Sequence, residues 1–434
     1  MQRIYLDANA TTPLLPEVVE AMRPFWQESF GNPSSAHHAG QRTRSAVERA
    51  RNAIAALLNA QPKEIVFTSG GTESDNLALS GILQPYLDRN EPAHLITSAI
   101  EHHAVLYAAE SLEKRGIEVT YLAPTSDGVI DPAAFEAALR PHTRLVSIML
   151  ANNETGAIQP VGKLARIAKA HASSPFFHSD AVQAAAKLPL DLSGEFKNVD
   201  LLSISGHKMY APQGTGVLFV RKGVQLAPLF HGGPHERQRR AGTENVPGIV
   251  ALGCAANLAR EWLSSSSSVP PVISTEAKPS YSVISTEAKP AYSVISTEAK
   301  RSGEIAAFTE ASTPTSLAAL RDRLESGLLA AISDSFVNAA TATRVANTTN
   351  LRFANIDAES LIIALDVKGI SASFGAACQS GATEPSHVLT AMGLAHNEAR
   401  ASVRFSLSRI TTAEEIDRAL EIIPAVVARL RSLS

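Results

Sequence analysis

The chain has 434 residues, of which 45% are hydrophobic and 19% charged, the composition of an ordinary globular protein with well-formed cores. Its 39 lysines and arginines nearly balance 42 aspartates and glutamates, so there is no basic excess to indicate a direct nucleic-acid or membrane partner. With no apolar run near the roughly 20 residues of a membrane span and only two cysteines, Cys254 and Cys378, we expect a cytoplasmic protein without a disulfide framework or a four-cysteine metal site.

Between about residues 60 and 225, short β-rich runs alternate with helical patterns such as 104–115 and 161–172. This alternation predicts an α/β fold, with a mostly parallel sheet between two layers of helices. Because ligands of such sheets bind at the carboxyl ends of the strands, we expect the functional site there. The predicted strands are 64–68, 95–98, 118–122, 144–150, 175–178, 200–204 and 216–220.

A glycine-rich turn follows the first of these strands. It contains Gly70, Gly71, Thr72 and Ser74 and leads into a helical pattern. Glycines allow a tight turn, and hydroxyls beside the free N–H groups of a helix start suit a phosphate. Neither a dinucleotide fingerprint nor a nucleotide-binding P-loop pattern is present. The alternative is a helix start capped by Thr72 or Ser74, with no ligand.

Two further strand ends carry charged residues. Asp180 ends an apolar strand, where a carboxylate would need a cationic partner such as a protonated ring nitrogen, or else caps the next helix. Lys208 follows the strand at 200–204 and can form a Schiff base with a carbonyl cofactor, although most lysines are surface groups. A phosphate site, a strand-end acid and a lysine on one sheet are the three features that pyridoxal phosphate needs.

With these motifs in view, the chain resembles the NifS/IscS-like cysteine desulfurases, in the class V aminotransferase branch of fold type I pyridoxal-phosphate enzymes. The resemblance covers nearly the whole chain outside one insertion. It implies a fold type I transferase with a seven-stranded-type, mostly parallel sheet in a large domain, plus a smaller α+β domain. The matching motifs are LDANATTP at 6–13, FGNPSS at 30–35, TSGGTESDN at 68–76, EHHAV at 101–105, NNETG at 152–156, SGHK at 205–208, RAGTEN at 240–245, Cys378 with EPS at 384–386, and RFSL at 404–407.

The resemblance implies roles for three residues in the chemistry of the cofactor, pyridoxal 5'-phosphate. Lys208 would hold it as a Schiff base and move protons. Asp180 would pair with the pyridine nitrogen and keep it protonated. His102 would stack on the ring face and take part in proton transfer, whereas the neighbouring His103 would be a packed or surface histidine.

The resemblance also implies the remaining contacts. Gln183 would hydrogen-bond the ring hydroxyl, and Asn153 would lie near that hydroxyl and the substrate carboxylate. Arg404, in an alternating segment typical of a half-buried strand, would grip that carboxylate; its alternative is an exposed strand-face arginine. Thr243 would reach the phosphate of the partner subunit, which implies a homodimer. The phosphate of the chain's own site would be held by Gly71, Thr72, Ser205 and His207.

The two cysteines lie in different surroundings. Cys254 belongs to an apolar helical pattern and is assigned to packing, whereas Cys378 lies among small residues typical of a mobile loop. The resemblance implies that the Cys378 thiolate attacks the sulfur of L-cysteine, leaving L-alanine and a persulfide. The sulfur would pass to an acceptor, either an iron-sulfur scaffold or a tRNA- or cofactor-thiolation protein. Cys378 could ligate an iron-sulfur cluster transiently; no other metal site is expected.

Residues 264–313 depart from the family. Near-copies of an 11-residue unit begin at Val272, Val283 and Val294 and contain Pro279 and Pro290. Three short polar copies broken by proline predict a disordered surface insertion rather than a solenoid, either a docking segment or an expanded repeat without a role. Around it we expect a large domain over 13–262 and a small domain formed by 1–12 and 314–434, with strands from 333–365 and 370–374 and a last helix over 413–430 kinked near Pro424.

Two rival functions are left by the sequence. A class V aminotransferase or lyase acting on another amino acid, such as selenocysteine, would keep Lys208, Asp180 and Arg404 but would not require Cys378. A catalytically silent subunit that binds a sulfur-transfer partner is opposed by the presence of every cofactor-binding motif. A metal site from His37 and His38, or from His231 and His235, lacks ligands to complete it.

Overall fold

The computed structural model describes residues 3–265, 314–375 and 385–433. Seven strands form one sheet in the order β2-β8-β7-β6-β5-β3-β4, in which β8 is antiparallel to both its neighbours and the other pairs are parallel. The strands of the described residues are β1 (Ile4–Tyr5), β2 (Ile65–Thr68), β3 (His94–Ser98), β4 (Glu118–Leu122), β5 (Thr143–Ser147), β6 (Phe176–Asp180), β7 (Leu201–Ser205), β8 (Gly216–Val220), β9 (Ser335–Val337), β10 (Thr348–Phe353), β11 (Ile370–Ser371) and β12 (Ser402–Ser406).

Helices cover both faces of the large sheet, so the predicted α/β architecture and all seven predicted strands are confirmed. The α-helices of the described residues are α1 (Pro16–Met22), α2 (Pro24–Gln27), α3 (His38–Leu57), α4 (Gly71–Asp88), α5 (His103–Glu113), α6 (Pro132–Ala138), α7 (Val161–Ala170), α8 (Val246–Ser264), α9 (Pro314–Ala331), α10 (Ala358–Val367), α11 (His387–Ala391), α12 (His396–Arg400) and α13 (Ala413–Arg431). Short 3-10 turns lie at Pro62–Glu64, Gly206–Lys208 and His235–Gln238.

Alternation along each strand divides the core between the two faces. In β2, Val66 packs with α4 and α5, whereas Ile65 and Phe67 pack with α3 and α8 on the opposite face. Successive strand side chains point to opposite faces, and a buried sheet therefore needs apolar residues at nearly every position. The apolar runs of β2 and β8 meet this requirement.

A second core surrounds a three-stranded antiparallel sheet in the order β12-β10-β9, packed by α9, α10 and α13. The N-terminal strand joins it, because β1 pairs in parallel with β11 and Asp7 bridges to Ser406. The prediction that 333–365 supplies strands is wrong at 358–365, which belongs to helix α10. Asp357 caps this helix by accepting from the N–H of Ser360. Helix α13 runs through Pro424 as one element.

The repeat-containing insertion lies outside the described residues, apart from Ser264 and Ser265 at the end of α8. The division into a large domain over 13–262 and a small domain over 1–12 and 314–434 stays a prediction. Within the described ranges, no helix combines the length and the apolar character needed to cross a bilayer.

Candidate active site

A cavity of about 210 Å³ opens at the carboxyl ends of the central strands. Strands β6 and β7 end at its wall with Asp180 and Ser205, and the 3-10 turn after β7 places Lys208 beside them. The cavity brings together the predicted site residues of the described ranges, with Thr243 as the exception. Its wall is formed by Asn9, Ala10, Gly71, Thr72, Asp75, His102, Met149, Ala151, Asn153, Asp180, Val182, Gln183, Ser205, His207, Lys208 and Arg404.

Asp180 is a buried acid in the cavity wall, with 5% of its surface exposed. Burial raises the pKa of its carboxyl to about 6, although the N–H of Val182, 2.8 Å from Oδ1, and the charge of Lys208 lower it. An ionised carboxylate here is poorly solvated, so the site favours a cation that lies against it. The strand-end position therefore has the property predicted from the sequence.

Lys208 points its amine toward the N-terminal segment. Nζ donates to the backbone oxygen of Asn9 and, at 2.7 Å, to that of Ala10. The backbone of the preceding residue, His207, accepts from the N–H of Thr12 at 2.8 Å. The loop at 8–12 thus forms one side of the site, a contact between segments about 200 residues apart that no spacing in the sequence predicts.

His102 lies at the start of α5, where its ring caps the helix. Nδ1 accepts from the N–H of Ala104 at 3.1 Å, so the proton of the neutral ring is on Nε2. Burial, with the nearby charges of Lys208, His103 and His387, lowers its pKa to about 4. His102 is therefore a neutral imidazole at physiological pH. Protonating it there costs free energy unless an anion forms beside the ring. His103 packs against Tyr107 and His387, as expected for a packed or surface histidine.

One part of the cavity wall is formed by Gly71, Thr72, Ser205 and His207. Helix α4 begins at Gly71 and is 18 residues long, so its free N–H groups and dipole favour an anion here. A Cβ on Gly71 would lie 2.8 Å from Cγ2 of Val182, which shows how closely the backbone approaches the far wall. Thr72 is exposed, and burial lowers the pKa of His207 to about 4.

Arg404 is fully enclosed, with 1% of its surface exposed, because β12 is buried along its whole length. The expectation of a half-buried strand is wrong, and so is the alternative of an exposed strand-face arginine. Nη1 donates to the backbone oxygen of Asn153 at 2.9 Å, and Nη2 donates to Oδ1 of Asp7 at 2.7 Å. The guanidinium is a charged group at the floor of the cavity.

Several buried polar atoms of the cavity wall have no hydrogen-bond partner among the residues that the structure describes. They are Oδ1 of Asp75, Oδ1 of Asn153 and Nε of Arg404. An unpaired buried polar atom costs roughly 1–3 kcal/mol, so three around one cavity indicate a polar ligand. The family resemblance had given Asn153 and Arg404 roles at the substrate carboxylate, whereas it gave Asp75 none.

Asp75 is one of the site residues that sequence analysis missed. It lies one turn into α4, 1% exposed, and its Oδ1 is 3.6 Å from Nε2 of His178. Burial and the charge of Asp180 raise the pKa of the Asp75 carboxyl well above its ordinary value. Asn9 was missed as well, although LDANATTP was recognised as a motif. Only its contacts with Gln183, Lys187 and Lys208 show why it matters.

The remaining predicted residues lie elsewhere. Thr243 is exposed on the segment before α8 and is not part of this cavity, and Cys378 lies outside the described residues. Cys254 is half-buried in α8 against the main core, with Sγ 3.7 Å from the backbone oxygen of Glu17. This position agrees with its assignment to packing. Among the described residues, no group of histidine, cysteine and acidic side chains is arranged to hold a metal ion.

Comparison with known proteins gives consistent matches. The chain matches the family Aminotransferase class-V over residues 4–312 and 305–419. It is 44% identical to the cysteine desulfurase IscS of Methanosarcina thermophila, with 99% of this chain and 93% of the relative aligned, and 44% identical to a cysteine desulfurase of Nostoc sp., with 100% and 95% aligned.

Solved structures agree with these sequence matches. A NifS-like protein has a TM-score of 0.82 and 34% identity, covering 99% of this chain and all of its own. A protein titled SspA in complex with cysteine has a TM-score of 0.72 and 34% identity, covering 93% and 98%. The fold and the site define a class V aminotransferase-type enzyme. The chain belongs, within that class, to the cysteine desulfurase family of the IscS and NifS-like group.

Proposed function

We propose that this chain is a pyridoxal-phosphate-dependent cysteine desulfurase that converts L-cysteine to L-alanine and retains the sulfur as a persulfide on Cys378. The observation that carries the proposal is the cavity, which unites an anion-binding helix start, a buried acid, an amine and a buried guanidinium. These features belong to a chain 44% identical, over almost its full length, to cysteine desulfurases.

The cavity wall suits pyridoxal 5'-phosphate. Asp180, buried at the end of β6, would hold a protonated ring nitrogen, and Lys208 supplies the amine that binds the aldehyde. The unpaired Oδ1 of Asn153 offers an acceptor in the wall. When bound, the cofactor supplies an electron sink for carbanion chemistry. The phosphate would lie at the start of α4, held by Gly71, Thr72, Ser205 and His207.

Arg404 would bind the carboxylate of the substrate. Its Nε has no hydrogen-bond partner among the described residues, and its Nη2 donates to the carboxylate of Asp7, which supports a preference of this guanidinium for carboxylates. A planar guanidinium can hold a carboxylate through two parallel hydrogen bonds and so orient the amino acid. Asn153, whose backbone oxygen accepts from Arg404, would lie near the same carboxylate.

His102 would take part in proton transfer. Its Nε2 is the ring nitrogen not occupied in capping α5, and the neutral ring can shuttle a proton to or from the substrate thiol. Lys208 would move protons at the substrate carbon while the acid Asp180 keeps its charge. Met149, Ala151 and Val182 line the same cavity, and their apolar side chains would limit the access of water to the reacting atoms.

Cys378 would be the sulfur acceptor. Its thiolate attacks the sulfur of the substrate, a sulfur–sulfur bond forms, and the carbon–sulfur bond breaks with its electron pair left on carbon. Protonation of that carbon gives L-alanine, so no external oxidant or reductant is consumed. The persulfide then carries sulfur at a reactive oxidation level to an acceptor protein, either an iron-sulfur scaffold or a thiolation protein.

The proposal extends to the assembly. We propose a homodimer in which Thr243, exposed on one subunit, reaches the phosphate of the other site. A relative carries the name IscS and a similar structure is described as binding cysteine, and both descriptions agree with the proposed substrate. The cytoplasmic location stays a prediction from the sequence.

The test is the formation of alanine from L-cysteine by purified, cofactor-loaded protein under reducing conditions. Cys378→Ala should retain the cofactor and lose at least 99% of turnover, whereas the matched Cys254→Ala should keep wild-type activity, since Cys254 is a packing residue. Equal activity of wild type and Cys378→Ala would show that Cys378 is not the acceptor. If the wild type forms alanine from neither L-cysteine nor selenocysteine, the enzyme proposal is overturned and a catalytically silent subunit is favoured.

A further inference from the structure

Lys187 lies beside the proposed cofactor site but does not line the cavity. It is seven residues beyond Asp180, in the turn region after β6, and its amine makes two contacts. Nζ donates to Oε1 of Gln183 at 2.6 Å and to Oδ1 of Asn9 at 2.9 Å. Both partners line the cavity, so the amine supports the wall from behind.

These contacts determine which way round the Gln183 amide lies. Its Nε2 is 2.9 Å from the backbone oxygen of Asn9, which can only accept a hydrogen bond. A flipped amide would set two oxygens against each other there and would turn an N–H toward the Lys187 amine. Lys187 and the Asn9 carbonyl therefore hold Oε1 toward the lysine and Nε2 toward the site. One hydrogen of Nε2 is used by Asn9, and the other is left for a ligand.

The amide of Asn9 is oriented in the same way. Its Oδ1 accepts from Lys187 and, at 3.1 Å, from Nδ2 of Asn347. Its Nδ2 donates to the backbone oxygen of Asn153 at 3.2 Å and to Oγ1 of Thr348 at 2.9 Å. The backbone oxygen of Asn9 accepts from both Gln183 and Lys208. The Asn9 amide is thus oriented by both Lys187 and Asn347, whereas the only side-chain donor to Oε1 of Gln183 among the described residues is Lys187.

We infer that Lys187 is a positioning residue that makes Gln183 an N–H donor toward an anionic ring oxygen of the cofactor. This inference rests on the proposed function, because it concerns the same site. An N–H donated to that oxygen stabilises the deprotonated form of the bound chromophore. A positive charge on Lys187 could also act on the cofactor directly, through space. This second effect is the weaker one, since burial and the charges of Lys208 and Arg404 lower the pKa of Lys187 well below its ordinary value.

The experiment follows the visible absorption of the bound cofactor with pH, in holoenzyme without substrate. Lys187→Met removes the donor at similar length and should raise the midpoint of the spectral change by about one pH unit, the equivalent of about 1.4 kcal/mol. Lys163→Met, which replaces an exposed lysine on α7, should leave the midpoint unchanged. Lys187→Leu serves as a second apolar variant if the methionine variant does not fold.

A double-mutant cycle distinguishes an effect of Lys187 through Gln183 from a direct effect of its charge on the cofactor. Gln183→Ala should raise the midpoint about as far as Lys187→Met, and adding Lys187→Met to it should cause no further rise. An unchanged midpoint in Lys187→Met, or a full additional rise in the double variant, would overturn the inference, because the lysine would then not act through Gln183. A wild type that binds no cofactor is a different result and would refute the proposed function instead.

Discussion

Oδ1 of Asp7 lies 2.7 Å from Nη2 of Arg404, so the guanidinium proposed to bind the substrate is already paired with a carboxylate of the N-terminal segment. The two residues are separated by 397 positions in the chain. The pair joins the loop after β1 to the middle of β12. It thus holds the N-terminal segment, with Asn9 two residues further on, against the site.

Asp7→Asn should destabilise the protein. The side chain of Arg404 is 2% exposed, and removing its anionic partner leaves a buried charge unpaired, at a cost of about 3 kcal/mol. Urea unfolding of the protein without cofactor measures this loss. The control is Asp366→Asn, which breaks the exposed pair with Arg3 and should cost less than about 1 kcal/mol. Equal losses would show that burial of the Asp7 pair is unimportant.

Arg404→Lys should weaken the binding of L-cysteine more than it slows turnover. Lysine keeps the charge but cannot make two parallel bonds to a carboxylate, so KM should rise about tenfold with a smaller change in kcat. Steady-state kinetics with L-cysteine measure both constants. If KM is unchanged while kcat falls, Arg404 acts in the chemistry and not in holding the carboxylate.

Glu101→Gln should change how stability depends on pH. Glu101 is buried, and burial raises its pKa from 4.5 to about 8 even though Ser98 and the N–H of Met149 donate to Oε1. Between about pH 4.5 and 8 the folded state binds more protons than the unfolded state, so the free energy of unfolding falls as pH rises through this window. Glutamine mimics the protonated acid and removes that fall.

Unfolding of wild type and Glu101→Gln at pH 5 and pH 9 tests this expectation. The two proteins should be similar at pH 5, and the variant should be the more stable at pH 9. A variant that is less stable by the same amount at both values would show that Glu101 is ionised in the folded protein throughout.

Asp180→Asn should weaken cofactor binding in a pH-dependent way. Burial raises the pKa of Asp180 to about 6, so its charge is present above pH 6 and is lost below it. The affinity difference between wild type and variant, measured by fluorescence titration of the cofactor-free proteins, should therefore be large at pH 8 and small at pH 5. A difference independent of pH would mean that the carboxylate charge is not what binds the ring.

Much of the site was predictable because it consists of motifs at strand ends. Gly71, Asp180, Ser205 and Lys208 follow β-rich runs, and the carboxyl ends of neighbouring parallel strands meet at one edge of a sheet. The helix at 358–367 was missed because its apolar run is compatible with either a strand or a buried helix; its N-cap, Asp357, is the signal that identifies it.

Burial and long-range contacts were harder to predict from the sequence. Arg404 was expected on a half-buried strand, since alternation predicts one polar face, but other elements cover both faces of β12. Asp75 lay inside the motif TSGGTESDN but was given no role, and Lys187 belonged to none of the quoted motifs. An acid inside a helical pattern and a lysine in a turn region are ordinarily solvated.

The sequence by itself determined the α/β class, the order of the strands along the chain and the residue types of the proposed chemistry, because these depend on local periodicity and on motifs. Only the tertiary structure decided that the loop at 8–12 closes the site, that Asp7 pairs with Arg404, and that Lys187 orients Gln183. Two of these contacts join residues that are distant in the chain. The third joins Lys187 and Gln183, which are four residues apart in a segment without a recognisable sequence pattern. They follow from how the sheets pack together, which residue spacing does not encode.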